Sequence, residues 1–504
     1  MASEEEIKLY NEIISKGCCK RCALRYLGHG RTLITFDDPD ICLLNVSRRI
    51  LKYTVFTKIL QFGHISPLDG IFENFQNKKM KKNPCAVCLD LLSDRMFGEL
   101  LEHQELSKVS EYLHEHFVAY ITFPPCILLR DHSMKIHLKN AFPNVFDVSK
   151  VIKIKHAWRD SIEKRLCKVL KKSYKHLSRL TVHFYTEYLL EDEELAVVQD
   201  CVKPRTQKNN ILSRHCVESL LESMPDEDFN KLVRIPPGIP LYEVTFKEMK
   251  FFSEAIHLVG NYCKYSRELY QIPFVVDGKI VNGYSIENII LEALKKVVSS
   301  FKGMVFLASS FDDASFRVLG KGRTFYLQIQ DAKVDSISHQ QCRTIERIIN
   351  AAKGLRVKNL KQADKKDIMV TMESEQQNPR SYKLLCIVYK CKNVDYCVNA
   401  VNMYSKISIQ QKTPVRVLHQ NRPYNSKEKK IYYIKATKIK NNLLEIELCA
   451  ECGLSVGEFV NGDFGRTNPS LCDIMKAKVE LLAVDVVDFQ STLACAAEEE
   501  DVEI

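Results

Sequence analysis

The sequence predicts an α+β protein whose C-terminal half carries a mainly antiparallel sheet. Three observations lead there. Its 504 residues suffice for about three domains, each able to bury a core. Hydrophobic residues make up 45% and charged residues 27%, which excludes an intrinsically disordered chain. Helical and strand-like runs alternate irregularly, without the strict rhythm that a doubly wound parallel sheet requires.

Taken in order, Ser3-Glu4-Glu5-Glu6 has capping-box spacing and opens a helix with Ile7, Tyr10, Ile13 and Ile14 on one face. Gly17 ends it. Residues 78–82 form the basic run Lys78-Lys79-Met80-Lys81-Lys82. Between residues 151 and 180 ten bases stand against Asp160 and Glu163. Much of that stretch reads as a helix turning Trp158, Ile162, Leu166, Val169 and Leu170 inward. Residues 203–210 read as an exposed loop. Ile235-Pro236-Pro237-Gly238-Ile239-Pro240 is the strongest linker, because three prolines and a glycine continue neither a helix nor a central strand. Beyond it, helices are expected over 286–298 and 342–352. Strands are expected over 304–307, 325–329, 383–389, 415–419, 431–434 and 443–449. The divisions that follow are 1–100, 101–234, a linker at 235–241, 242–490, and an acidic, disordered tail at 491–504.

Lysine and arginine number 73 against 63 acids. Five of those acids (Glu498, Glu499, Glu500, Asp501 and Glu503) fall in the last seven residues, so the body upstream carries an excess of fifteen bases. That balance favours a polyanionic partner. The N-terminus lacks the basic and apolar regions of a secretory signal, and no apolar run reaches the roughly 18 residues that span a bilayer. A soluble intracellular protein without a membrane partner is expected. Its thiols would stay reduced.

Nineteen cysteines are too sparse for a disulfide scaffold. Two pairs at Cys-x-x-Cys spacing, Cys19 with Cys22 and Cys85 with Cys88, supply the four thiolates of a closed tetrahedral zinc site. Cys18 could replace Cys19. The 62 residues between the pairs exceed common finger spacings, so buried structural pairs or redox chemistry remain open at this point. A deaminase reading of Cys85 and Cys88 fails, because His103-Gln104-Glu105 follows the pair instead of preceding it. Asp463-Phe464-Gly465 resembles a kinase metal motif, but no His-Arg-Asp loop precedes it. Gly320-Lys321-Gly322-Arg323 lacks the glycine spacing of a phosphate loop. His114-Glu115-His116 reads as helix surface.

Four blocks carry a family likeness in chain order. They are Lys264-Tyr265-Ser266-Arg267-Glu268-Leu269-Tyr270-Gln271-Ile272-Pro273, the segment from Ser310 through Asp313, Arg317 and Gly322 to Phe325, Lys412-Thr413-Pro414-Val415-Arg416-Val417-Leu418-His419, and Glu458-Phe459-Val460-Asn461-Gly462-Asp463-Phe464-Gly465-Arg466-Thr467. Over roughly residues 240–490 the chain resembles the archaeal and eukaryotic tRNA pseudouridine synthases of the Pus-ten family. The resemblance implies a pseudouridine synthase catalytic domain over 242–490. It also implies a zinc-knuckle accessory region over 1–100 with Cys19, Cys22, Cys85 and Cys88 as ligands, and a THUMP-like RNA-binding domain over 101–234. The implied reaction isomerises uridine in the tRNA T-loop and needs neither metal nor organic cofactor. The implied partner is tRNA, with other RNA open, for a monomer in the nucleus, the cytoplasm or both.

By the same resemblance, Asp313 is the catalytic carboxylate and Tyr382 stacks on the base. The chain departs from the family motifs at Ser310, Phe311, Ser315, Ser455 and Gly457, losing an arginine, an acid, an aromatic and a lysine. Arg317 and Arg466 are the candidate substrate contacts that could restore positive charge near Asp313, which has Asp312 as its neighbour. A family member that binds RNA or assists tRNA folding without isomerising uridine is the alternative.

Overall fold

The computed structural model describes residues 4–28, 83–199, 201, 213–276, 279–282, 284–298, 300–310, 313–389, 391, 393–420 and 425–488. The run at 78–82, the loop at 203–210, Ser3, Phe311, Asp312 and the acidic tail lie outside them. Two compact units divide at Ser253 and Glu254. No described helix is long and apolar enough to cross a membrane.

In the first unit the helix Glu4–Ser15 buries Leu9 and Ile13, and Gly17 ends it with φ +82°. Four strands follow: β1 His116–Thr122, β2 Ser173–Tyr174, β3 Leu180–Glu187 and β4 Thr245–Ser253. Their order is β2-β1-β3-β4, with β1 parallel to both neighbours and β4 antiparallel to β3. Thus β4, beyond the proline-rich stretch at 235–241, still pairs with the first unit's sheet. The helix Ile154–Leu170 packs Trp158 edge-on to Phe184 of β3, with ring centroids 5.6 Å apart. Trp158, Ile162, Leu166 and Leu170 recur every fourth residue and are buried. Val169, expected inward, is 48% exposed, because it sits about 100° around the helix from Leu170.

The second unit is built on a ten-stranded sheet. Its strands are β5 Ile256–Lys264, β8 Gly303–Ala308, β9 Phe316–Gln330, β10 Leu355–Gln362, β11 Arg380–Tyr389, β12 Ile407–Lys412, β13 Ser426–Lys440, β14 Leu443–Ala450, β15 Thr467–Asn468 and β16 Lys478–Val487. Strands β6 Phe274–Val276 and β7 Lys279–Asn282 form a separate pair. The order β10-β5-β9-β16-β11-β14-β13-β12-β15, with β8 on β9, is antiparallel at every pairing except β9 with β16. Period-2 burial along β11 and β14 turns one face of that half inward under the helices Val394–Asn402, Val456–Asn461 and Leu471–Met475. A second core lies beneath Ile286–Val297 and His339–Asn350. Val486 of β16 packs against both cores, beside the parallel seam.

Two expected strands differ from the structure. Residues 415–419 were expected as a strand but lie in a 3-10 turn, Val415–Gln420. Val415 N–H goes to the Asp463 carboxylate and Val417 N–H returns to Pro414 O, so neither serves a ladder. Strand β9 starts nine residues before the expected 325, and runs through Gly320 and Gly322, both at positive φ. At Gly322 a Cβ would meet Tyr262 O at 2.6 Å, so these glycines mark an irregular, closely paired stretch of strand.

Candidate active site and metal centre

Asp313 lies on the turn leading into β9, and other family-like blocks hold that turn in place. Buried Lys264, at the end of β5, donates from Nζ to the carbonyls of Leu269 (3.1 Å), Asp313 (3.2 Å) and Ala314 (2.7 Å). A buried ammonium spent on three carbonyls is a positioning device, and it fixes the backbone at Asp313. Gln271 donates to Ser310 O at 2.9 Å, and Arg267 donates to Ser315 O at 2.8 Å. The turn is therefore clamped on both sides of Asp313.

The carboxylate faces a cation that came from neither expected arginine. Arg416 Nη1 lies 3.0 Å from Asp313 Oδ1, while its Nε donates to Glu458 Oε1 at 2.6 Å. Burial works against the Arg416 charge, but Glu458 and then Asp313 outweigh it and hold the guanidinium above its ordinary pKa. The Asp313 side chain is 42% exposed and Glu458 only 9%. One guanidinium thus joins an accessible carboxylate to an enclosed one.

Arg317 instead donates from Nε and Nη2 to the two carboxylate oxygens of Asp485, which Arg267 also reaches at 2.5 Å. Burial alone would raise the Asp485 carboxyl, yet these arginines hold it below its usual range. Arg466 Nε donates to Thr413 O at 3.0 Å and stands 3.6 Å from Asp463. Since Asp463 accepts from Val415 N–H at 3.1 Å, both residues brace the turn carrying Arg416. The Gly462-Asp463-Phe464-Gly465 corner does this with four consecutive positive φ angles, so Asp463-Phe464-Gly465 is a bracing corner. Tyr382 is only 5% exposed, directed into the core from β11. Ser455 exchanges hydrogen bonds with Gln411, and a Cβ on Gly457 would meet nothing within 4 Å. In the sequence Arg416 stands inside the family-like block at residues 412–419, which assigns it no role of its own. Its basic side chain between Val415 and Val417 was the available signal.

In the first unit, Cys19, Cys22, Cys85 and Cys88 place their sulfurs within 4.8 Å of one another. Cys19 caps the helix Lys20–Leu27, accepting from Cys22 N–H at 3.4 Å, and Ala86 N–H bonds Gly17 O at 3.0 Å to join the two knuckles. Cys19 and Cys88 sulfurs are 3.7 Å apart. Hydrogen bonding to Cys85 and burial raise the Cys18 thiol, which packs beside the group. Burial disfavours charge on Cys85 too, but surrounding S–H donors hold that thiol low, while Cys22 and Cys88 are pushed up. The four-thiol group could hold a metal ion, whose charge would let all four ionise.

A model described as Pus10, C-terminal matches residues 257–490, and one described as eukaryotic Pus10, N-terminal matches residues 85–251. The chain belongs to the Pus10 family. A tRNA pseudouridine synthase Pus10 of Xenopus laevis is 28% identical over 509 residues, covering 94% of this chain and 95% of the relative. The Pus10 of Homo sapiens is 25% identical over 96% and 97% of the two chains. A Thermofilum pendens Pus10 is 30% identical over 47% of this chain and 53% of its own. Among solved structures, a Cbf5–Nop10–Gar1 complex aligns with 46% of this chain and 48% of its own at TM-score 0.24 and 11% identity.

Proposed function

We infer that the chain is a tRNA pseudouridine synthase in which the Asp313 carboxylate starts the conversion of uridine to pseudouridine. The observation that carries this reading is the Arg416 guanidinium 3.0 Å from that carboxylate. The reaction breaks the N-glycosidic bond, turns the uracil over and rejoins it through C5. Asp313 must be ionised to attack the sugar as a nucleophile or to remove a ribose proton as a base. The neighbouring Arg416 guanidinium orients that carboxylate. Where the family motif carries a lysine this chain has Gly457, and Arg416 supplies charge from another element.

Tyr382, nearly enclosed, is proposed as the floor of the uracil pocket. Arg317 and Arg466 are proposed to border the substrate while holding Asp485 and Asp463. The T-loop of tRNA is the proposed target, and other RNA is open to the same chemistry. A structural zinc is proposed at the four cysteines. Its bonds of about 2.3 Å space tetrahedral sulfurs about 3.8 Å apart, which suits the 3.7 Å between Cys19 and Cys88. The THUMP-like RNA-binding role of residues 101–234, the monomeric state and a nuclear or cytoplasmic site of action belong to the same proposal.

The second reading, RNA binding without isomerisation, draws on the open space at Gly457 and the hydrogen-bonded Ser455. Turnover must release the C5 hydrogen as a proton. A tRNA transcript tritiated at uridine C5 therefore separates the two: release matching newly mapped pseudouridine supports the enzyme. A transcript that binds without release favours the second reading.

A further inference from the structure

The first unit's sheet has one face turned to its core, carrying Phe117, Ala119, Ile121, Val182 and Phe184. The other face buries Val118 and Thr181 and carries a row of rings beside them. Tyr120 of β1 is 44% exposed, and it lies in register with His183 of β3, which in turn opposes Lys250 of β4. The Tyr120 and His183 centroids are 6.1 Å apart, and His183 stacks on Tyr185 at 4.4 Å with 20° between planes. Lys250 Nζ stands 5.0 Å over the Tyr185 ring, and Phe252 lies exposed two residues further along β4.

We propose that this face is a stacking platform for unpaired bases of an RNA. Tyr120 and Phe252 keep exposed rings on which bases can stack, and the stacked His183–Tyr185 pair extends the aromatic row. His183 is hydrogen-bonded to the Thr122 hydroxyl through Nε2 at 2.8 Å, which fixes its plane against Tyr185. Burial first, then the charges of Lys155 and Lys250, lower its pKa, so the imidazole meets a base in its neutral form near pH 7. The occupant follows from the flanks. Lys155 is near enough to act on His183, and Lys250 opposes His183 in register. Glu248 on the face is paired with Lys250 at 2.8 Å. Tyrosine and histidine between bases suit nucleotides, where an apolar protein segment would meet aliphatic residues. The proposal takes its partner class, RNA, from the function inferred above but uses none of the residues around Asp313.

The test uses the full chain, a labelled oligouridine of about twelve nucleotides, within the site sizes of stacking grooves, and a blunt RNA duplex of equal length. Tyr120→Ala with Tyr185→Ala should weaken oligouridine binding by roughly tenfold or more, and duplex binding by less than twofold. Tyr120→Phe with Tyr185→Phe, which keeps both rings, should bind like wild type. Should the alanine pair melt at a lower temperature, ultraviolet cross-linking of the wild-type chain decides: cross-linked peptides should contain Tyr120, His183 or Tyr185. Unchanged oligouridine affinity in a folded alanine pair, or cross-links confined to other peptides, overturns the platform. If the alanine variants bind normally and the chain forms pseudouridine, only the platform falls. If oligouridine binds through these rings and no pseudouridine forms, only the catalytic reading falls.

Discussion

Replacing Arg416 by alanine should separate two things this side chain does. Its contact with Asp313 joins two half-exposed groups, so solvent screens it and its worth to stability is at most about 1 kcal/mol. Its bond to Glu458 is different, because that carboxylate is 9% exposed and would lose a donor at 2.6 Å. Leaving such a group without its partner costs on the order of 1–3 kcal/mol. In a unit of this size that lowers the melting temperature by roughly 2–12 °C. The effect on turnover should be larger. Losing a charge partner aimed at the reacting group typically costs about 10²–10³-fold in rate. Single-turnover tritium release at saturating tRNA measures the rate, and a thermal melt measures stability. Adding Glu458→Gln to Arg416→Ala should restore much of the melting temperature while leaving turnover low. Arg416→Lys should recover part of the rate. Should Arg416→Ala release tritium within threefold of wild type, the guanidinium has no part in the chemistry, and the argument for an activated Asp313 fails.

Further outcomes are expected elsewhere in the chain. Purified protein should contain about one equivalent of zinc, and chelation or Cys19→Ser should lower the melting temperature of the first unit, since bound metal contributes folding free energy. Metal content below half an equivalent contradicts this. Asp131, buried between Arg25 at 2.5 Å and Lys135 at 2.7 Å, is raised by burial but lowered more by both cations, to about 2. Its folded pKa lies below the unfolded one of about 3.9, so its contribution of roughly 2–3 kcal/mol is present above that value and lost as pH falls towards 2. Acid melts of Asp131→Asn should lack this component, which urea titration at pH 7 and pH 3 would reveal. Phe464 holds φ +54° at 95% exposure, so Phe464→Gly should raise stability by about 1 kcal/mol, read in the same titration. Affinity for tRNA should fall steeply with salt, and alanine at Lys164 and Lys168 should flatten the slope. Lys172 is excluded from that set because its ammonium is occupied by the carbonyls of Tyr112 and His114.

The alternation of side chains made β11 and β14 legible, because each buries one face and a period of two survives in sequence. The start of β9 was not, since Gly320 and Gly322 break the pattern where the strand approaches Tyr262. Val415 and Val417 suggest a strand by residue type, but Asp463, 48 residues away in sequence, takes the amide of Val415. The same limitation hid the cation at the site. Asp313, Arg416 and Glu458 stand in three separate blocks, each visible by its likeness, and only the folded sheet brings them together. Arg317 is near Asp313 in sequence, yet β16 offers it Asp485 first. The cysteine knuckles were readable as pairs, while the choice of Cys19 over Cys18 required the helix cap at Lys20–Leu27.

The most direct measurement maps pseudouridine in a tRNA transcript after incubation with the wild-type chain and with Asp313→Asn. Asparagine keeps the size of the side chain but serves as neither nucleophile nor base. Wild type should convert a T-loop uridine, and Asp313→Asn should convert none while binding the transcript with nearly unchanged affinity. Conversion by Asp313→Asn at a rate near wild type, or no conversion by wild type on a transcript it binds, would contradict the assignment.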